Sequence, residues 1–168
     1  MTSLCHIMLS IMTLSNIWRL FSMNYEIVEL EEKIIVGVNA ITSNDDPEMG
    51  RVIGGLWEKL YQGGINEKIK NRINEHAIGL YSDYSDNKYE VTVGNEVSKV
   101  DNNECAVKTI PAGRYARFSI TGHVQKAVEA AWNEIWNMDL DRSYVADFEE
   151  YLNSDYDNAK IDIYISLK

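Results

Sequence analysis

Between Ile34 and Ala40 the side chains Ile34, Val36, Val38 and Ala40 alternate with Ile35, Gly37 and Asn39, a period of two that predicts a strand with a buried face. The polar run Thr42 to Pro47 ends it. Asp46 is placed to cap the next element and Pro47 to take a first helical position, where its missing N–H costs nothing. The spacing then changes to three and four. Met49, Val52, Ile53, Leu56, Trp57, Leu60 and Tyr61 form the broad apolar stripe of a helix, stopped by Gly63-Gly64. Gly54-Gly55 inside that stripe predicts a tight helix packing contact, because the lysine and serine of a phosphate loop are missing. A short helical turn is expected over 66–72. Strands follow over Ala77 to Tyr81 and Tyr89 to Val93, with a turn from Asp83 to Lys88 between them.

The second half repeats this order. Val107 to Ile110 leads through the Pro111-Ala112-Gly113 turn to a strand over Tyr115 to Ile120. After Gly122 comes a helix whose Val124, Ala127, Val128, Ala131, Ile135 and Trp136 share a face. Strands around Phe148 to Leu152 and from Ile161 to Leu167 close the chain. The fold class expected is α+β: duplicated strand-helix-strand-strand units whose antiparallel strands are covered on one side by helices, with a groove between the repeats. Residues 23–168 form the expected domain, with repeats at about 25–97 and 105–168. Residues 1–22 are an atypical extension, rich in Met, Leu and Ile. They lack the basic start and cleavage site of a signal peptide and are broken by Ser10, Ser15 and Asn16 before a spanning length. A mis-assigned start or an added helix fits them better.

A chain of 168 residues, 45% apolar, can bury one substantial core. Its 26 acidic against 16 basic residues give a net charge of −10, which repels phosphate backbones and anionic lipids and attracts cations. Direct nucleic-acid binding and membrane association are therefore not expected. Cys5 and Cys105 make neither a disulfide framework nor a metal cluster and suit a reducing cytoplasm. His6, His76 and His123 show no metal-site spacing, and no nucleophile motif is present, so neither a metal nor a cofactor is expected.

Composition also biases the aromatics. Ten tyrosines and 4 tryptophans stand against 3 phenylalanines, favouring rings with a polar handle, which suit a surface apolar on one side and wet on the other. The segment Asp147-Phe148-Glu149-Glu150-Tyr151 sets acids among rings. On a strand Glu149 and Tyr151 share one face, while Phe148 and Glu150 take the other. An inward Glu149 facing aromatic rings would pair with a cationic ligand. Solvated acids on an edge strand are the competing reading. The expected ligand-binding set is Glu149, Tyr151, Tyr84, Trp57, Trp136, Tyr115 and Tyr81, with Glu150 turned away and no residue assigned a catalytic role.

The chain resembles the bacterial effector-binding domains of multidrug-responsive transcription activators and stand-alone gyrase-inhibitor-like proteins. It is most similar to the integron-associated, cassette-encoded branch. The resemblance runs from about Tyr25 to Lys168. It rests on Leu56-Trp57, Asn71-Arg72-Ile73, Leu80 to Tyr84, Tyr89 to Gly94 with Glu96-Val97, and Ile110 to Tyr115. It continues through Gly122, Ala131-Trp132, Ile135-Trp136, Arg142 with Tyr144, and Asp147-Phe148-Glu149 with Tyr151. It implies a duplicated fold that binds amphipathic, often cationic compounds in the central groove, with the family's central glutamate falling on Glu149. The chain before Tyr25 is too short for the DNA-binding domain some relatives carry, so a regulatory role would act through a separate protein or a homodimer. Two further readings stay open: hydrolysis or sequestration of a reactive toxic compound, and a protein-interaction or inhibitor module.

Overall fold

The computed structural model describes residues 23–101 and 104–168. The extension over 1–22, with Cys5 and His6, lies outside them. Eight strands form one antiparallel sheet: β1 (Glu26–Leu30), β2 (Lys33–Ser43), β3 (Ala77–Ser85), β4 (Lys88–Val97), β5 (Ala106–Ile110), β6 (Gly113–Gly122), β7 (Ala146–Tyr151) and β8 (Ala159–Ser166). Three helices join them: α1 (Met49–Tyr61), α2 (Ile65–Lys68) and α3 (Val124–Trp136). The spatial order β1-β6-β8-β7-β3-β4-β2-β5 is symmetric about the β7–β3 pair. The second half's β5 to β8 mirror β1 to β4, and each half lends its first strand to the other. The fold is thus α+β with a duplicated unit.

The sheet cannot be flat. Glu31-Glu32 alone joins β1 to β2, and Pro111-Ala112 alone joins β5 to β6, although each pair stands six places apart in the sheet. Six spacings of a flat sheet would be roughly 29 Å. A two-residue link reaches about 11 Å. The sheet therefore curls until its two ends meet, and Val28 and Leu30 of β1 join Ile110 of β5 and Ile35 of β2 in one apolar cluster. Phe148, Tyr115 and Tyr164 fill the same cluster. Curling needs a close approach of backbones at Gly37 and Gly94, register partners on β2 and β4, where an added Cβ would lie 2.0 Å from a carbonyl oxygen of the facing strand.

Both long helices cover the outer face. Leu56 and Leu60 of α1 pack on Val36 of β2 and on Val91 and Val93 of β4, while Ala131, Trp132 and Ile135 of α3 pack on Phe118 of β6 and Ile161, Ile163 and Ile165 of β8. Each helix thus sits over its own half of the sheet. The central strands β3 and β7 lie between them.

Local departures from expectation have simple causes. The turn expected over 66–72 is a single helical turn, Ile65–Lys68, because Ile69 turns extended and buries its side chain under α1. Asp46 does not cap α1: its carboxylate accepts the Glu48 N–H at 2.8 Å, two residues before the cap position, and Glu48 takes the N-cap position without a side-chain bond. Gly54 and Gly55 make no tight packing contact, since nothing lies within 4 Å of a Cβ built at either. β7 is flanked by β3 and β8, which removes the edge-strand reading of its acids.

Candidate functional site

A cleft of about 1790 Å³ opens between α1 and α3 over the β3–β7 floor. That exceeds the several hundred Å³ of a site for one drug-sized molecule. Its walls carry Trp57 and Tyr61 from α1, Trp132 and Trp136 from α3, and Tyr84, Tyr144 and Tyr156 from strand β3 and the flanking loops. Gly50 and Gly54, one helical turn apart on α1, face the same space and keep it wide.

Glu149 lies at the bottom and is 1% exposed. Its register partner on β3 is Gly79, and a Cβ there would stand 3.2 Å from Glu149 Oε2 and 3.4 Å from the Trp57 ring. The bare glycine gives the carboxylate its room. Three neutral donors hold it: Trp132 Nε1–H donates to Oε1 at 2.6 Å, the Tyr81 hydroxyl to Oε1 at 3.1 Å, and the Tyr151 hydroxyl to Oε2 at 2.6 Å. The rings brace one another edge to face, Trp57 on Tyr151 at 4.9 Å and Tyr81 on Trp132 at 5.5 Å.

No arginine, lysine or histidine forms an ion pair with Glu149 among the described residues. Burial pushes its carboxyl above the usual range, opposed by the hydrogen bonds from Tyr151, Trp132 and Tyr81. Burial, and then the Glu149 charge, push the Tyr81 hydroxyl well above the ordinary phenol value, and the same causes act on Tyr151. Both phenols therefore remain protonated donors. The arrangement is a carboxylate whose lone pairs are partly satisfied while its charge has no protein counter-ion.

A second buried acid lies two residues away. Asp147, 0% exposed, accepts from the Ser166 N–H at 2.8 Å, the Ser166 hydroxyl at 3.1 Å, the Tyr84 hydroxyl at 3.1 Å and Arg142 Nη2 at 2.5 Å. The Arg142 guanidinium in turn lies 4.6 Å from the centre of the Tyr144 ring. Here the protein supplies its own cation.

Six of the seven expected residues meet at this cleft: Glu149, Tyr151, Tyr81, Tyr84, Trp57 and Trp136. Trp136 stands at the mouth, 53% exposed, rather than against Glu149. Tyr115 is elsewhere. It packs on Phe148 in the cluster enclosed by the curled sheet and donates its hydroxyl to the Pro111 carbonyl at 2.8 Å. The alternation on β6 explains this: Ala116 and Phe118 face α3, which turns Tyr115 away. Glu150 faces away too, bonded to His76 at 2.8 Å. The structure adds Trp132, Asp147 and Gly79 to the expected set. Trp132 lies four residues before Trp136 on the same helix face, so spacing alone does not say which indole goes deep.

The sequence profile of the GyrI-like small molecule binding domain matches residues 23–168. A search of curated proteins finds no significant match. Among solved structures, the chain is similar to SAV2435, determined bound to tetraphenylphosphonium, with a TM-score of 0.74 at 21% identity over 87% of this chain and 94% of that one. It is similar also to a putative bacterial transcription regulation protein from Staphylococcus aureus MU50, with a TM-score of 0.72 at 20% identity over 88% and 99%. An integron cassette protein from the mobile metagenome of Vibrio cholerae superposes with a TM-score of 0.66 at 29% identity over 86% and 95%.

Proposed function

The chain belongs to the GyrI-like small-molecule-binding family, and from that premise we propose that its cleft takes up amphipathic aromatic cations, with Glu149 as their counter-charge. The observation that carries this is a buried carboxylate held by three neutral donors and paired with no cation among the described residues. An organic cation entering the cleft supplies the missing charge, and the faces of Trp57, Tyr81, Trp132 and Tyr151 add quadrupole attraction. Affinity for a lipophilic cation follows, because such a cation loses little hydration on entry and its rings bury against apolar walls.

SAV2435, a protein of similar fold, was determined with a ligand of this class. One carboxylate among adaptable aromatic walls selects for charge and ring content more than for outline, so the protein accepts a range of compounds. Its role is that of an effector-binding module, acting in a drug response through capture of the compound.

Three tryptophans line the cleft, so binding has a direct readout. Titration with tetraphenylphosphonium is expected to change tryptophan fluorescence saturably and to raise the melting temperature by mass action. The neutral triphenylphosphine oxide is expected to do so weakly. Equal responses to both compounds, or none to either, would reject the proposal.

A further inference from the structure

We infer that Arg142 is an internal plug: its guanidinium fills a second cation subsite built on Asp147, and so limits the cleft to one positive centre of a ligand. This rests on the reading of Glu149 as the ligand's counter-charge. Asp147 and Glu149 are alternate residues of β7, so they point to one face, about 7 Å apart along the strand. Each is buried, and each accepts a hydroxyl from a β3 tyrosine, Tyr81 for Glu149 and Tyr84 for Asp147. At Glu149 no protein cation is present among the described residues; at Asp147 the Arg142 guanidinium occupies the place, with the Tyr144 ring over its face. Carboxylate on the edge and ring on the face is what a planar organic cation would meet there.

Two further observations distinguish a plug from a structural ion pair. Arg142, Tyr84 and Tyr144 all line the cleft, so the seat opens to the space a ligand enters. Arg142 Nε is buried with no hydrogen-bond partner, so the arginine occupies this seat with its donors incompletely satisfied. Tyr144 holds a left-handed backbone, φ 55°, that sets its half-exposed ring against the guanidinium. With Arg142 in place the Asp147 charge is paired inside the protein. Without it, the cleft would present two carboxylate charges at a spacing suited to an aromatic dication with planar amidinium or guanidinium ends.

The test compares benzamidine with 1,4-benzenebisamidine by calorimetry on four proteins: the wild type, Arg142→Met, Asp147→Asn and the double variant. Arg142→Met is expected to raise the preference for the bis-amidine by about tenfold or more, the size of a unit-charge interaction at this distance in a partly screened site. Asp147→Asn leaves Arg142 positive beside Glu149 and is expected to weaken benzamidine by about tenfold. The double variant removes both charges of the Arg142–Asp147 pair, leaves Glu149 as the cleft's single carboxylate charge, and is expected to lose the bis-amidine preference. It and Asp147→Asn decide the matter even if Arg142→Met proves too unstable to titrate. Equal effects of Arg142→Met on both ligands, or undiminished benzamidine binding by Asp147→Asn, would overturn the inference. If benzamidine binding ignores Glu149→Gln, it is the underlying reading of Glu149 that falls; if Glu149→Gln abolishes it while the Arg142 series is flat, only the plug falls.

Discussion

Trp132→Phe isolates one of the three bonds that let Glu149 carry charge at the bottom of the cleft. The substitution keeps a ring against Tyr81 and Trp136 but removes the Nε1–H donor 2.6 Å from Oε1. A hydrogen bond to a charged group contributes about 1.5–3 kcal/mol. Its loss disfavours the ionised form, so the Glu149 carboxyl, already pushed up by burial, should be pushed further up. Cations bind the ionised form. Affinity for tetraphenylphosphonium therefore falls about tenfold per pH unit once the carboxyl is mostly protonated, and the variant's midpoint should lie at higher pH than the wild type's. Calorimetry across acid to mildly alkaline pH, repeated in buffers of different ionisation enthalpy, yields the midpoint and the proton released on binding. An unmoved midpoint, or one shifted to lower pH, would refute the reasoning.

Other expectations are simpler. Gly54→Ala should stabilise the protein by about 1 kcal/mol in urea titrations, since the site has space for a Cβ and glycine is a poor helix former; Gly54→Leu should narrow the cleft and weaken tetraphenylphosphonium binding. Tyr115→Phe should cost about 1 kcal/mol through its bond to Pro111, with ligand affinity unaltered because the ring lies on the other face. Glu149 has a raised pKa in the folded state, so its neutral form stabilises the fold below the ordinary carboxylate pKa of 4.5, and that stability is lost as pH rises to the folded value. Glu149→Gln should flatten this part of the stability profile, measured as melting temperature against pH without ligand.

What the sequence disclosed follows from which signals are local. The alternation of β2 and β8 and the stripe of α1 are long enough to read directly, and the repeated order of elements implies the paired halves. The strand β1 was not foreseen: only Val28 and Leu30 turn inward in its five residues, too short a run for a period to show. Glu149 was legible because Tyr151 shares its strand face two residues on. Asp147 was not, because what defines its role comes from a loop arginine and a β3 tyrosine, and no spacing along the chain records their meeting. Tyr115 lies outside the cleft because the alternation with Ala116 and Phe118 beside it turns its ring to the other face of the sheet. Gly54 looked like a contact because a small residue in an apolar stripe usually admits a neighbour; here it admits the cleft.

The central claim concerns charge, and Glu149→Gln changes the charge with almost no change of shape. The side-chain oxygen of glutamine can still accept from Trp132 and Tyr81, and the Tyr151 hydroxyl can turn to accept from the new amide. A cation about 4 Å from a carboxylate in a partly screened site gains on the order of 4 kcal/mol. Desolvation offsets part of this, and a loss of roughly 2–4 kcal/mol is expected, about 30-fold to 1,000-fold in Kd. Calorimetric titration of wild type and Glu149→Gln with tetraphenylphosphonium and triphenylphosphine oxide should show that loss for the cation and little change for the neutral compound. A variant that binds the cation as tightly as the wild type, or loses both compounds alike, would contradict the account.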